Sequence, residues 1–270
     1  EAVSAFPVFA FLALRFALAT ATLWPFHLRA DRPARQEPAT RHSWPGIAVG
    51  VALFAGYALQ TFGLRYTTPA KAGFITGLSV VLVPLGQAVF LRRLPDLGAV
   101  AGVALAAAGL GLLSLGPDLS IGFGDLLALG CAASFAAHIL LVGRFAPTWP
   151  PIQLAFTQIA TVAVLSSALA LALERPLSWP PSNVWFAAAF TGLLATSLAF
   201  FLQSRAQQAT SPTHTALIFA AEPVFAGLFS FLLVGEVLGP RQLLGCSFIV
   251  AGMLAAELIK GKRKSQERRG

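Results

Sequence analysis

Long uncharged runs alternate with short polar clusters along the whole chain, and the runs recur at the length of a membrane-crossing helix. Such a helix needs about 20 apolar residues, with every backbone polar group satisfied inside the segment. Reading between charges predicts nine of them, 5–26, 45–64, 70–91, 97–116, 122–143, 151–173, 183–203, 213–234 and 240–259. The runs 145–173 and 176–204 exceed the need, so their ends belong to loops. Strands of a membrane barrel would alternate in hydrophobicity over segments of about ten residues. These runs do not alternate, which excludes a barrel. Trp24, Trp44, Trp149, Trp179 and Trp185 fall at or near segment ends, where an indole rests at headgroup level.

Composition sharpens this into an all-α integral membrane protein. The chain is 56% hydrophobic and 11% charged, against about a quarter charged in soluble proteins, and its mean hydropathy is +0.73. A soluble domain so poor in charge would expose large apolar patches. The net charge of +8 is unevenly placed. Loops that must alternate sides collect fourteen basic residues on one side: Arg29, Arg32, Arg35, Arg41, Arg92, Arg93, Arg144, Arg205 and six in the tail from Lys260 to Arg269. The other side has four, Arg65, Lys71, Arg175 and Arg241. By the positive-inside rule the first side, with the C-terminus, is cytoplasmic, which places the chain in the cell (inner) membrane. The basic excess is a topology signal, so the partners expected are the lipid bilayer and a small molecule, with no nucleic acid. Cys131 and Cys246 lie inside predicted spans and read as reduced packing residues rather than a disulfide framework.

An internal repeat sets the architecture. At a constant offset of 143, Leu59 and Gln60 meet Leu202 and Gln203, Thr67 and Pro69 meet Thr210 and Pro212, and Gly102 and Gly109 meet Gly245 and Gly252. The same offset would give the span 122–143 a partner about 21 residues before Glu1. The expectation is therefore two inverted five-helix repeats, ten helices when intact and nine in this chain, the first being absent. The divisions are 1–116, an N-terminal repeat lacking its first helix; 117–259, the C-terminal repeat; and 260–270, a basic cytoplasmic tail. An odd helix number inverts the second half, an arrangement found in secondary transporters with a mid-membrane site at the repeat interface.

Three stretches carry a family resemblance: "GLRYTTPAKAGFITGLSVVLVPL" (63–85), "GFGDLLALGCAASFAAHILLVGR" (122–144) and "AEPVFAGLFSFLLVGEVLGPRQLLGCSFIVAGM" (221–253). The chain resembles the EamA-like family of the drug/metabolite transporter superfamily. The resemblance implies ten helices, cytoplasmic termini, and export or exchange of amino acids, metabolites or small drugs. One departure is that Arg93 stands where the second repeat has Glu236, so the "GE" turn occurs once.

Ionisable residues inside spans are expensive and mark candidate function. Glu222 adjoins Pro223 near the middle of a span. A proline there takes the helical partner from the carbonyl of Phe219, and the freed backbone must face protein or a wet cavity. Glu222 either lines a cavity, taking a cation or a proton, or braces the kink. His214 lies two turns earlier, with Ile218 between, on what a continuous helix would make one face. The repeat mates of His214 and Glu222 are Lys71 and Ser79, which would share a face in the first half. Two such polar faces would meet across the repeat interface. His138, one turn from Ser134, is a further cavity candidate, and Tyr57, Gln60, Thr76 and Gln203 could supply neutral hydrogen bonds. Arg15, the one basic residue deep in a span, reads as structural, paired with an acid or with the missing helix. Asp125 and Glu236 read as helix caps at span boundaries.

The chain shows no HExxH, no paired mid-span aspartates and no nucleophile elbow, and no cofactor, metal site or catalytic residue is expected. The sequence reading is a secondary carrier with alternating access; the alternatives are a lipid flippase or an intramembrane enzyme.

Overall fold

The computed structural model describes residues 6–30, 43–90, 92, 94–114, 122–174, 179–235 and 239–267, and among them there is no strand. The helices are α1 (Val8–Arg29), α2 (Trp44–Gly63), α3 (Pro69–Gly77), α4 (Ser79–Phe90), α5 (Leu97–Ser114), α6 (Phe123–Phe145), α7 (Pro151–Leu173), α8 (Ser182–Gly192), α9 (Ala199–Ala206), α10 (Pro212–Phe219), α11 (Glu222–Val234) and α12 (Pro240–Glu267), with a π-helical stretch, Leu193–Leu198, joining α8 to α9. Seven helical segments of the described residues are long and apolar enough to cross a membrane, and Leu97–Leu113 and Pro240–Ala256 are shorter apolar helices. Each coincides, within a few residues, with one of the nine segments expected. The last helix runs on to Glu267, into the stretch expected to be tail, because its Lys, Arg, Gln and Glu are good helix formers. Arg93 and Glu236, the two sides of the "GE" departure, lie outside the described residues.

Helix starts carry the local logic. Proline opens α3, α7, α10 and α12, where its missing N–H is one the helix could not satisfy anyway. Ahead of α5, Asp96 accepts from the Ala99 N–H at 2.8 Å, and ahead of α12 the Gly239 N–H donates to Gln242 at 2.8 Å. Each is half of a capping box. Four starts recur at the offset of 143: Val8 with Pro151, Pro69 with Pro212, Ser79 with Glu222 and Leu97 with Pro240.

The chain divides into two compact units, Glu1–Ala58 with Leu141–Thr210 and Leu59–Leu140 with Ser211–Gly270. Each unit draws on residues from both sides of 116/117.

In the first unit α1 packs along α7 in antiparallel fashion. Glu174, just beyond α7, accepts from the N–H groups of Phe9 at 2.9 Å and Ala10 at 2.8 Å, in the first turn of α1. This satisfies two otherwise orphaned donors and sets an anion at the positive end of the helix dipole. At the opposite end Phe156 stacks on His27 at 4.2 Å and meets Trp24 at 5.6 Å. Trp149 departs from the headgroup expectation, because its indole is buried with Val49, Val142, Ala146 and Leu154. Trp24, Trp44 and Trp179 are exposed.

In the second unit α5 and α12 lie backbone to backbone. A Cβ at Gly102 would fall 2.6 Å from the carbonyl oxygen of Gly252, and one at Gly109 would fall 2.5 Å from that of Gly245. The pairing is reciprocal: the repeat mate of Gly102 is Gly245, and that of Gly252 is Gly109. This is the residue pattern of a two-fold contact, and small residues are what let membrane helices approach so closely.

The long spans 69–90 and 212–234 are each broken in the middle. The Val81 and Leu82 N–H groups bond to the Leu78 carbonyl at 2.9 and 3.0 Å, and those of Val224 and Phe225 to Ala221 at 2.9 and 3.2 Å. Leu78 and Ala221 are repeat mates. No proline adjoins the first break, whereas the second is followed closely by Pro223. It occupies the second position of α11, among the first N–H groups that a helix leaves unbonded in any case.

Candidate functional site

The polar candidates of the second unit gather at helix starts. Thr68 Oγ1 accepts from the Lys71 N–H and Ser211 Oγ from the His214 N–H, both at 3.3 Å, and each hydroxyl precedes a proline at the first helical position. Ser211 Oγ also lies 2.7 Å from His214 Nδ1. His214 is buried and tied into its own cap. The Lys71 ammonium stands 3.8 Å from Asp125 Oδ2. Asp125 is buried, accepts from the Gly122 N–H at 2.9 Å and from the Thr67 hydroxyl, and so caps α6 as its position suggested.

His214 is 4% exposed and Ile218, one turn on within α10, is 54% exposed; Glu222, first residue of α11 beyond the turn at Ala220–Ala221, is exposed. Ser79, the mate of Glu222, is half-buried at the start of α4. His138 is buried within α6, and Ser134 donates to the Gly130 carbonyl at 2.8 Å. Thr76 donates to Cys131 Sγ at 3.8 Å. Gln60 is half-buried in the last turn of α2.

Tyr57 and Gln203 belong to the first unit. Gln203 is buried and donates through Nε2 to Gln207 at 3.0 Å. No described residue meets its side-chain oxygen. Tyr57 meets Phe16 edge-on at 5.3 Å, and the Arg15 guanidinium lies 5.4 Å from the Tyr57 ring centre and 5.6 Å from that of Phe16. Arg15 Nε donates to Thr196 Oγ1 at 2.8 Å, and its Nη2 faces the Ala195 carbonyl at 3.5 Å. Of the two partners expected for Arg15, an acid or the absent helix, no described acid lies within ion-pair reach of it. A charged side chain within a span is costly, and Arg15 is met there by one hydroxyl, one backbone carbonyl and two ring faces.

Several buried polar residues were not picked out in advance. Thr213 donates to Gln87 at 3.1 Å, tying α10 to α4, and Gln158 donates to Ser204 at 3.2 Å, tying α7 to α9. Gln87 and Gln158 sit in apolar runs just as Gln60 does, so the same criterion would have found them. The π-helical stretch had no such signal.

Comparisons with known proteins agree with this architecture. The model of the EamA-like transporter family matches residues 1–115 and 122–256. An uncharacterized transporter of Archaeoglobus fulgidus is 35% identical over 213 residues, 79% of this chain and 68% of that protein. The threonine/homoserine exporter RhtA of Escherichia coli K12 is 30% identical over 258 residues, 93% of this chain and 82% of the exporter. A crystal structure with 25% sequence identity superposes at a TM-score of 0.81, covering 96% of this chain and 91% of the other. With its apolar helices, broken spans and small-residue helix contact, the chain belongs to the EamA-like transporter family and is a multi-pass membrane transporter of small molecules.

Proposed function

We propose that the protein is a secondary exporter or exchanger of amino acids and related small metabolites, working by alternating access in the cell membrane with its C-terminus cytoplasmic. The observation that carries this reading is the pair of broken spans. Leu78 and Ala221 interrupt equivalent helices at equivalent positions, behind equivalent hydroxyl caps. Discontinuous helices in the two halves of an inverted repeat accompany substrate sites near the bilayer midplane. The 143-residue offset supports the repeat, and the positive-inside count supports the inversion. The amino-acid class rests on the name of the Escherichia coli relative. Glu222 and Ser79, which begin α11 and α4, are the residues proposed to meet substrate or a coupling ion, with Gln60, Thr76 and His138 as further polar candidates. Lys71 and His214 are engaged at caps, and their proposed part is to fix the half-helices.

The test is counterflow in proteoliposomes with the full-length protein and a panel of labelled threonine, homoserine, other amino acids, nucleosides and cationic drugs. Saturable exchange of one class is the expected result. Glu222→Gln, run in parallel, is expected to lower the rate and flatten its dependence on a pH gradient. Wild-type rates in that variant at every pH would remove Glu222 from coupling. Absence of exchange by folded protein would turn the search toward a lipid substrate.

A further inference from the structure

We infer that Arg15 is the carboxylate anchor of the transported substrate; this rests on the carrier reading above and names the chemistry that the carrier would recognise. Arg15 has no carboxylate within ion-pair reach among the described residues. Arg15 lies seven residues, or about 10 Å of helix, from the first residue of α1. A snorkelling arginine would turn toward that nearer end. This one turns the other way. The α8 helix starts at the same end of the unit as α1, because Glu174, at the close of α7, caps α1 and only 175–181 separate it from Ser182. Gly192 lies beside the backbone of Arg15, where a Cβ would fall 2.9 Å from the Arg15 carbonyl oxygen. Thr196, which receives the guanidinium, lies one turn further in.

The acceptor on that deeper turn is itself committed. Thr196 Oγ1 takes the Nε proton of Arg15 and donates its own to the Thr191 carbonyl at 3.0 Å. That five-residue reach belongs to the π-helical stretch Leu193–Leu198, and π-bulges are frequent at functional sites. Oriented by Nε and by the Nη2 bond to the Ala195 carbonyl, with the rings of Phe16 and Tyr57 beside it, the guanidinium has further terminal N–H groups to offer another acceptor. Its charge has no carboxylate to answer it among the described residues. Half-buried, it remains accessible. The planar fork of arginine matches a carboxylate in bidentate fashion, and one uncompensated positive charge suits a monoanionic head better than a doubly charged phosphate. The flanking rings suit an apolar or aliphatic remainder.

The test compares paired substrates in proteoliposomes: threonine against threoninamide and homoserine against its carboxyl-free amino alcohol, for wild type, Arg15→Lys and Arg15→Gln. Wild type is expected to exchange the carboxylates and not their partners. Arg15→Gln is expected to raise the half-saturation concentration for carboxylates at least about tenfold, with the lysine variant in between because it keeps the charge and loses the fork. If the glutamine variant does not fold, mass-spectrometric mapping of phenylglyoxal modification at Arg15 in wild type serves instead, with threonine protecting and threoninamide not. Equal exchange of acid and amide by wild type, or an Arg15→Gln protein with unchanged half-saturation for carboxylates, overturns the assignment and leaves the carrier reading standing. No saturable flux for any member of the panel overturns both.

Discussion

Ser211 and Thr68 do the same job at repeat-equivalent positions, each accepting one N–H in the first turn of a half-helix. Replacing such a cap by alanine costs about 1 kcal/mol, so Thr68→Ala and Ser211→Ala are expected to lower the detergent-solubilised melting temperature by similar, small amounts. Asp125 is more exposed to loss, because one buried carboxylate meets the Gly122 N–H, the Thr67 hydroxyl and, at 3.8 Å, the Lys71 ammonium. Asp125→Ala would take this acceptor from the exposed Gly122 N–H and the half-buried Thr67 hydroxyl and is expected to cost about 0.5–1.5 kcal/mol. Asp125→Asn should recover part of that by keeping an acceptor. Thermal unfolding of the four variants beside wild type reads the difference. An Asp125→Ala protein as stable as wild type would mean that this carboxylate is a bystander.

At the scale of elements, the α5–α12 contact is the most demanding. The carbonyl oxygens of Gly245 and Gly252 stand where a Cβ on Gly109 or Gly102 would go, and backbone cannot step aside as a flexible side chain can. Gly109→Ala and Gly245→Ala are each expected to destabilise by about 1–3 kcal/mol through overpacking, seen as lower melting temperatures. Because both open the same contact, the double variant should fall short of the sum; strict additivity would show that the two sites do not share it. The spacing of these glycines was legible in the sequence, as were the helix bounds, since both follow from hydrophobic run length and from the offset of 143. The pairing of Gly102 with Gly252 rather than with its own mate was not, because run length says nothing about which helices touch. A proline in an apolar run looks like the cause of a kink, and Pro223 does follow the turn at Ala220–Ala221, but nothing in the run marks the equivalent turn at Leu78, which no proline adjoins. Arg15 reads as structural, paired with an acid or with the missing helix, and run length carries no sign of the Thr196 hydroxyl and Ala195 carbonyl that it meets in a π-helical turn.

At the scale of the whole molecule the open question is parity. Tyr66 follows α2 and Ala209 follows α9; they are repeat mates and both are exposed. Between them the chain traverses 69–90, α5, α6, α7 and the α8–α9 span. If all five cross the bilayer, the two residues face opposite sides and the repeats are inverted. The doubtful member by length is Leu97–Leu113, one of the two shorter apolar helices. Its 17 residues rise about 26 Å against a hydrocarbon core of about 30 Å, a mismatch that thinning or snorkelling accommodates at modest cost. Were it to turn back, the count of crossings would be even, and Tyr66 and Ala209 would share a side. That arrangement would also set Arg65 and Arg205 together, against the positive-inside bias. Single cysteines at Tyr66 and Ala209, introduced separately with Cys131 and Cys246 replaced by alanine, separate the cases. With a membrane-impermeant maleimide on intact cells, Tyr66→Cys is expected to label at once and Ala209→Cys only after permeabilisation. Labelling of both from outside would make the crossings even in number and remove the inverted repeat on which the alternating-access reading depends.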